Sequence, residues 1–258
     1  MSEIAWITGG GSGLGRATAL RLVADGWRVA VSARTAADLD ELVADPAAQG
    51  RIHAFPCDVT DRTAVLATVD RIECELGPIA LALLAAGIYL PVGLDDFSAA
   101  NVEAMFRINV FGVANAIEAV MPRFRARDAG RLAVVSSLTQ YRGFVRNAGY
   151  GATKAALLTM CETLRLQTRG TGITVQIVVA GYISTRMTAK APFPLPDIIS
   201  AEDAAEQTVA GLKTDDFEIC MPAEIIARVR AARGMPADEY FEMAARTTLF
   251  GGVPPEGA

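Results

Sequence analysis

Tyr150-Gly151-Ala152-Thr153-Lys154 sets a phenol and an ammonium four residues apart. At the start of a helix that spacing puts both on one face. A free tyrosine titrates near pH 10, too high for efficient proton transfer at neutral pH, and a neighbouring cation lowers that value by stabilising the phenolate. A phenol tuned in this way can hand a proton to an alkoxide as it forms, which is what hydride addition to a carbonyl requires. With five tyrosines in the chain the spacing also arises by chance, so the weight falls on its surroundings. Ser137 ends an apolar, β-rich run and offers a hydroxyl to a substrate oxygen. Asn109, in Arg107-Ile108-Asn109-Val110-Phe111-Gly112, falls mid-helix, where asparagine is unfavourable by propensity. It either holds water or pins two helices together.

A second group of residues suits a dinucleotide. Thr8-Gly9-Gly10-Gly11-Ser12-Gly13-Leu14-Gly15 lies between an apolar run and a helical pattern. Glycines permit backbone approaches that a Cβ would block, and a helix starting near Gly13 turns its free N–H groups toward a pyrophosphate. The alternative is a tight turn without a ligand. A triphosphatase loop is excluded, because no Gly-Lys-Ser/Thr follows and no lysine precedes Lys154. The second apolar run ends Val31-Ser32-Ala33-Arg34. An acid at this tip binds the adenosine ribose hydroxyls, whereas arginine pairs with a 2′-phosphate. Arg34 therefore favours NADP over NAD, although a guanidinium stacked on adenine or merely solvated leaves the same sequence. Asp58, in Cys57-Asp58-Val59-Thr60, is placed either to accept from the adenine amino group or to cap a helix beginning near Asp61.

Taken in order and spacing, the glycine turn at 8–15, Asn109, Ser137 and Tyr150-x-x-x-Lys154 resemble the short-chain dehydrogenase/reductase family over about residues 3–190. The resemblance implies one Rossmann-like domain over 1–258: a doubly wound, mostly parallel seven-stranded sheet in the order 3-2-1-4-5-6-7, with helices on both faces. It implies a tetrad in which Tyr150 is the acid/base, Ser137 polarises the substrate, Lys154 binds the nicotinamide ribose and tunes the tyrosine, and Asn109 holds a water in a proton relay. Cofactor contacts would come from Gly9, Ser12, Gly13, Leu14, Gly15, Ser32, Arg34, Asp58, Val59, Ala86, Gly87, Ile183 and Thr185, besides Tyr150 and Lys154. It also implies a homo-oligomer, dimer or tetramer, built through the long helices around 101–121 and 148–168. Two positions depart from the family pattern. Leu84-Ala85-Ala86-Gly87 lacks the asparagine that steadies the sheet centre, and Ala180-Gly181 replaces Pro-Gly after the sixth strand.

The elements that must position these groups alternate from the start. Strands are expected at Ile4–Ile7, Arg28–Ala33, Arg51–Cys57, Ile79–Ala85, Arg131–Ser136, Thr174–Val179 and Phe217–Met221. Helices are expected from Gly13 to about Ala24, Ala36–Val43, Ala64–Leu76, Asn101–Met121, Tyr150–Thr168 and Ala201–Leu212, the last capped by Ser200. β-α alternation means a parallel sheet whose ligands sit beyond the strands' carboxyl ends. Residues 186–200, with three prolines, read as a substrate lid. The tail 223–258 reads as amphipathic helix to Arg246 and then a disordered Gly/Pro-rich terminus.

Composition narrows the classes. A formal charge of -5 without a basic run argues against nucleic acid. The four cysteines are dispersed, so packing rather than metal or redox chemistry is expected of them. Neither a signal peptide nor an apolar run long enough for a membrane span is read, which points to the cytoplasm. Leu138, Phe144, Val145, Tyr182, Met187 and Phe193 are expected to border an apolar pocket for a small carbonyl or alcohol, with Arg142 and Arg146 solvated. The rivals are a non-catalytic NADP-binding protein, which would have a broken tetrad, and an epimerase or dehydratase, for which the stretch after the sixth strand is short.

Overall fold

Successive strand residues face opposite layers, and the burial pattern shows it directly. Ile4 and Trp6 of β1 (Ile4–Thr8) enter one apolar core, whereas Ala5 and Ile7 enter the other. Every residue of this strand is buried, as a parallel sheet covered on both faces demands. The structure is a computed structural model that describes residues 3–189, 195 and 197–246.

Six more strands complete the sheet: β2 (Arg28–Ser32), β3 (Ile52–Ala54), β4 (Ile79–Leu84), β5 (Gly130–Ser137), β6 (Ile173–Ala180) and β7 (Glu218–Met221). Their order is β3-β2-β1-β4-β5-β6-β7, all parallel. The expected doubly wound topology is what the chain adopts. The winding reverses between β1 and β4, and there the loops after both strands diverge into a cleft. α1 (Gly13–Ala24), α2 (Ala36–Ala44) and α7 (Ala201–Leu212) cover one face. α3 (Arg62–Glu75), α4 (Ala99–Phe106), α5 (Gly112–Arg127), α6 (Ala148–Gln167) and α8 (Ala223–Ala231) belong to the other side, followed by α9 (Ala237–Ala245). Ser200 caps α7 as expected, its Oγ accepting from Asp203 N at 2.9 Å.

The boundaries differ in two instructive places. β3 pairs over three residues only, although Phe55 and Cys57 go on donating to Val31 O and Ala33 O at 2.9 and 3.1 Å. The helix expected to stop at Met121 runs from Ala99 to Arg127, with a π turn at Arg107–Phe111 and Pro122 inside it. Proline removes one donor and normally ends a helix, but Val120 and Phe124 are wholly buried on either side and hold the axis on course. Contrary to expectation, this helix is long and apolar enough to pass as a membrane span, with a mean hydropathy of 1.3 in its most apolar window. It is built into the body of the fold, with Val113, Ala116, Ala119, Val120 and Phe124 in the core. Phe193, part of the proposed lid (190–194 and 196) and the terminus from 247 lie outside the described residues.

Candidate active site

Tyr150 stands on the first turn of α6, Lys154 one turn later, and Ser137 at the carboxyl end of β5, so two neighbouring elements bring the three together. All three line one cavity of about 260 Å³. Lys154 is 4 % exposed, and its Nζ donates to Val135 O at 2.9 Å. That bond and the fixed helix hold the ammonium over the Tyr150 ring, 5.4 Å from its centroid.

Burial dominates both protonation states. Burial pushes the Tyr150 phenol up to about 12, aided by the nearby Tyr89 phenol and opposed by a hydrogen bond with Ser137. Burial also pulls Lys154 down to about 8. Desolvation disfavours both charged forms. The tyrosine is thus held as a proton donor. The consequence for stability can be measured. Unfolded Lys154 keeps its proton to 10.5 and the folded residue only to about 8, so between these values the unfolded chain binds more protons. This contribution raises stability as pH climbs through that window. Thermal unfolding should show the wild type gaining on Lys154→Met from pH 7.5 to pH 10, and parallel curves would refute the shift.

Asn109 is fully buried in the π turn and lines neither cavity of the cleft. Its Nδ2 donates to Ile88 O at 3.0 Å and Thr153 Oγ1 at 3.2 Å, while its Oδ1 accepts from Ile88 N at 2.8 Å. The pinning alternative therefore describes it: the amide clamps the loop after β4 to α6, and both its donors are spent on protein. A π turn, which shifts the helix register by one residue, aims it there.

The glycine turn fits a pyrophosphate. Gly9 has φ +70°, and a Cβ on it would lie 2.8 Å from the Ala85 and Ala86 backbone. A Cβ on Gly15 would run into the Gly9 carbonyl. Ser12 caps α1 without a side-chain hydrogen bond, and no acid occupies the first turn, so the first N–H groups of α1 face the cleft uncapped. Gly9, Ser12, Gly13, Leu14, Gly15, Gly87, Ile183 and Thr185 line the Tyr150 cavity. Ser32, Arg34, Asp58, Val59 and Ala86 line an adjoining one, which shares Gly9, Ser12 and Gly87. Every expected cofactor residue thus borders the cleft. Two are partly engaged: Ser32 Oγ accepts from the Trp6 indole at 3.0 Å, and Asp58 Oδ1 is held by Thr60. Asp61, not Asp58, caps α3.

The departures from the family pattern are accommodated. Leu84 joins the core, and Thr8 ties the loop to β1 by accepting from Ala86 N at 3.3 Å and Ala85 N at 3.2 Å. At the second departure Gly181 N donates to Met221 O at 2.8 Å.

Leu138, Phe144, Tyr182 and Met187 border the cavity as expected, but Val145 faces outward, 52 % exposed. Nor are the two arginines merely solvated. Arg142 donates to Ala232 O and Met235 O, and Arg146 pairs with Asp96. Sequence reasoning missed Tyr89, Thr139 and Asn147 in the first cavity, and Asp38 and Ile108 in the second. Asp38 reaches the adenosine side from α2 and pairs with Arg186 at 3.3 Å.

A family model described as short chain dehydrogenase matches residues 3–193. An uncharacterized oxidoreductase of Myxococcus xanthus is 33 % identical over 94 % of this chain and 96 % of its own. A 3-oxoacyl-[acyl-carrier-protein] reductase of Thermotoga maritima is 29 % identical over 74 % and 78 %. The crystal structure of a short-chain dehydrogenase from Streptomyces avermitilis superposes with a TM-score of 0.81, at 24 % identity and 94 % coverage of both chains. Since the family match runs through the glycine turn, Asn109, Ser137, Tyr150 and Lys154 alike, the chain belongs to the short-chain dehydrogenases.

Proposed function

We propose that this oxidoreductase interconverts a carbonyl and an alcohol on a small, largely apolar substrate, with NADP preferred over NAD. The observation that carries the reading is the shared cavity: Ser137, Tyr150 and Lys154 open onto the same space as the glycine turn. Gly9, Ser12, Gly13 and Gly15 would hold a nicotinamide cofactor along that turn, and it would supply the hydride chemistry when bound. The Ser137 hydroxyl donates to the substrate oxygen and fixes its position beside Tyr150. The Tyr150 hydroxyl, protonated at neutral pH, donates its proton to that oxygen as negative charge develops there. Lys154, anchored to Val135 O, supports the phenolate left behind. Asn109 acts behind the site, holding Ile88 and Thr153 in place. A protein that only bound the cofactor would have no use for a buried phenol, hydroxyl and amine around one opening.

The cofactor preference rests on Arg34. Its guanidinium is exposed at the rim of the adenosine-side cavity and makes no ion pair among the described residues, so it is available to a 2′-phosphate. Two acids line the same cavity, and both are engaged: Asp38 pairs with Arg186, and Asp58 Oδ1 accepts from Thr60. Arg34→Ala should weaken NADP about tenfold or more, the scale of one charge-assisted contact, while shifting NAD less than twofold. Titration of both cofactors against tryptophan fluorescence decides it; equal losses would remove the 2′-phosphate contact.

A further inference from the structure

Two hydroxyls in the substrate cavity are buried without a hydrogen-bond partner, Tyr89 OH and Thr139 Oγ1. Buried polar groups are nearly always paired, because an unmet hydroxyl forfeits its water and receives nothing in return. The other unpaired buried atoms among the described residues, on Thr18, Gln140 and Arg146, do not line this cavity. The two hydroxyls are also the ones beside the reacting groups. The Tyr89 ring meets the Tyr150 ring edge-on, centroids 5.2 Å apart at 76°. Thr139 N donates to Ser137 Oγ at 3.3 Å, which locks Thr139 against the residue that receives the substrate oxygen. Burial raises the Tyr89 phenol above its ordinary value, so it remains a donor across the neutral range. Leu138, Phe144 and Leu195 add hydrocarbon to the same wall, which also carries the Tyr182 phenol and Asn147, whose Nδ2 is spent on Val145 O at 3.1 Å.

We propose that Tyr89 and Thr139 bind a second oxygen of the substrate, so that the enzyme selects carbonyl compounds bearing another hydrogen-bond acceptor close to the reacting carbonyl. This rests on the oxidoreductase reading and adds to it a specificity pair that lies outside the tetrad. A site built to hydrogen-bond a substrate group discriminates against analogues that lack it, since its own buried donors then stay unmet.

The test compares ethyl acetoacetate with methyl pentyl ketone, in which the ester is replaced by methylenes. Both are offered to the NADPH-loaded protein, and kcat/KM is measured for wild type, Tyr89→Phe and Thr139→Val. Each variant deletes an unmet hydroxyl and keeps the packing, so each should melt at or above the wild-type temperature. The keto ester should be preferred by wild type, and each variant should cut that preference by about tenfold, the worth of a hydrogen bond. An unchanged preference in both variants, or an equal loss on both substrates, overturns the proposal. Calorimetric binding of the same pair to the Tyr150→Phe protein gives a readout free of turnover. If binding preference depends on Tyr89 while wild type reduces neither compound, the reaction assigned above fails and the specificity pair stands. If wild type reduces both and neither measurement depends on these hydroxyls, the pair fails and the reaction stands.

Discussion

Tyr150→Phe should lower turnover at least about a thousandfold while NADP affinity stays within a few-fold of wild type. A positioned general acid contributes roughly a hundred- to ten-thousand-fold, and here its removal deletes the phenol that hydrogen-bonds Ser137 at the substrate oxygen. The substitution is otherwise mild. Phenylalanine keeps the edge contact with the Tyr89 ring and the face beneath Lys154, so the cavity wall and the α6 start are preserved. It also removes a buried phenol whose ionisation the site already resists, which gives no reason for the fold to weaken. Nicotinamide absorbance reads the turnover and a fluorescence titration the affinity. Turnover within tenfold of wild type would mean that the proton comes from elsewhere. Loss of affinity in parallel with rate would mean instead that Tyr150 is part of the cofactor's seat and its chemical role is unproven.

The parts of this site legible in the sequence are those whose geometry is local. Tyr150 and Lys154 share a helix face by spacing alone, and the glycines between β1 and α1 announce a turn that no side chain can enter. The doubly wound parallel sheet followed from alternation and the handedness of crossovers, and its strand order from the family resemblance. What escaped depends on distant contacts. Asp38 reads as one polar position on an amphipathic helix, and only the packing of α2 against the glycine turn, where a Cβ on Gly11 would meet Asp38 Cβ at 3.0 Å, brings it to the adenosine side. The role of Asn109 turned on a register shift within a helix, and helical periodicity gives no sign of a single π turn. Arg142 reads as a solvated loop cation until carbonyls ninety residues onward, Ala232 O and Met235 O, are known to receive it. Tyr89 and Thr139 did leave a signal. Each lies a few residues past a strand's carboxyl end, where a doubly wound sheet presents its ligand site, and both follow residues already singled out, Gly87 and Ser137.

Gly15→Ala should abolish tight binding of NADP and NAD together, by about a hundredfold or more each. The added methyl would sit against the Gly9 carbonyl, with the carbonyl carbon 2.9 Å and Gly10 Cα 3.3 Å away. These neighbours are backbone, and Gly9 is itself wedged against the Ala85–Ala86 backbone on its other side, so the turn has nowhere to retreat. The start of α1 must move instead, carrying the N–H groups that face the cleft away from the pyrophosphate position. Shifts of about an ångström in such preorganised donors are enough for losses of this size. Gly143→Ala is the control, since a Cβ there meets nothing within 4 Å and the residue lines neither cavity. Equal loss of both cofactors separates this effect from that of Arg34→Ala, which acts on the 2′-phosphate alone. If Gly15→Ala bound either cofactor as wild type does, the close approach of α1 to the turn would be incidental, and the pyrophosphate would have to be held by side chains.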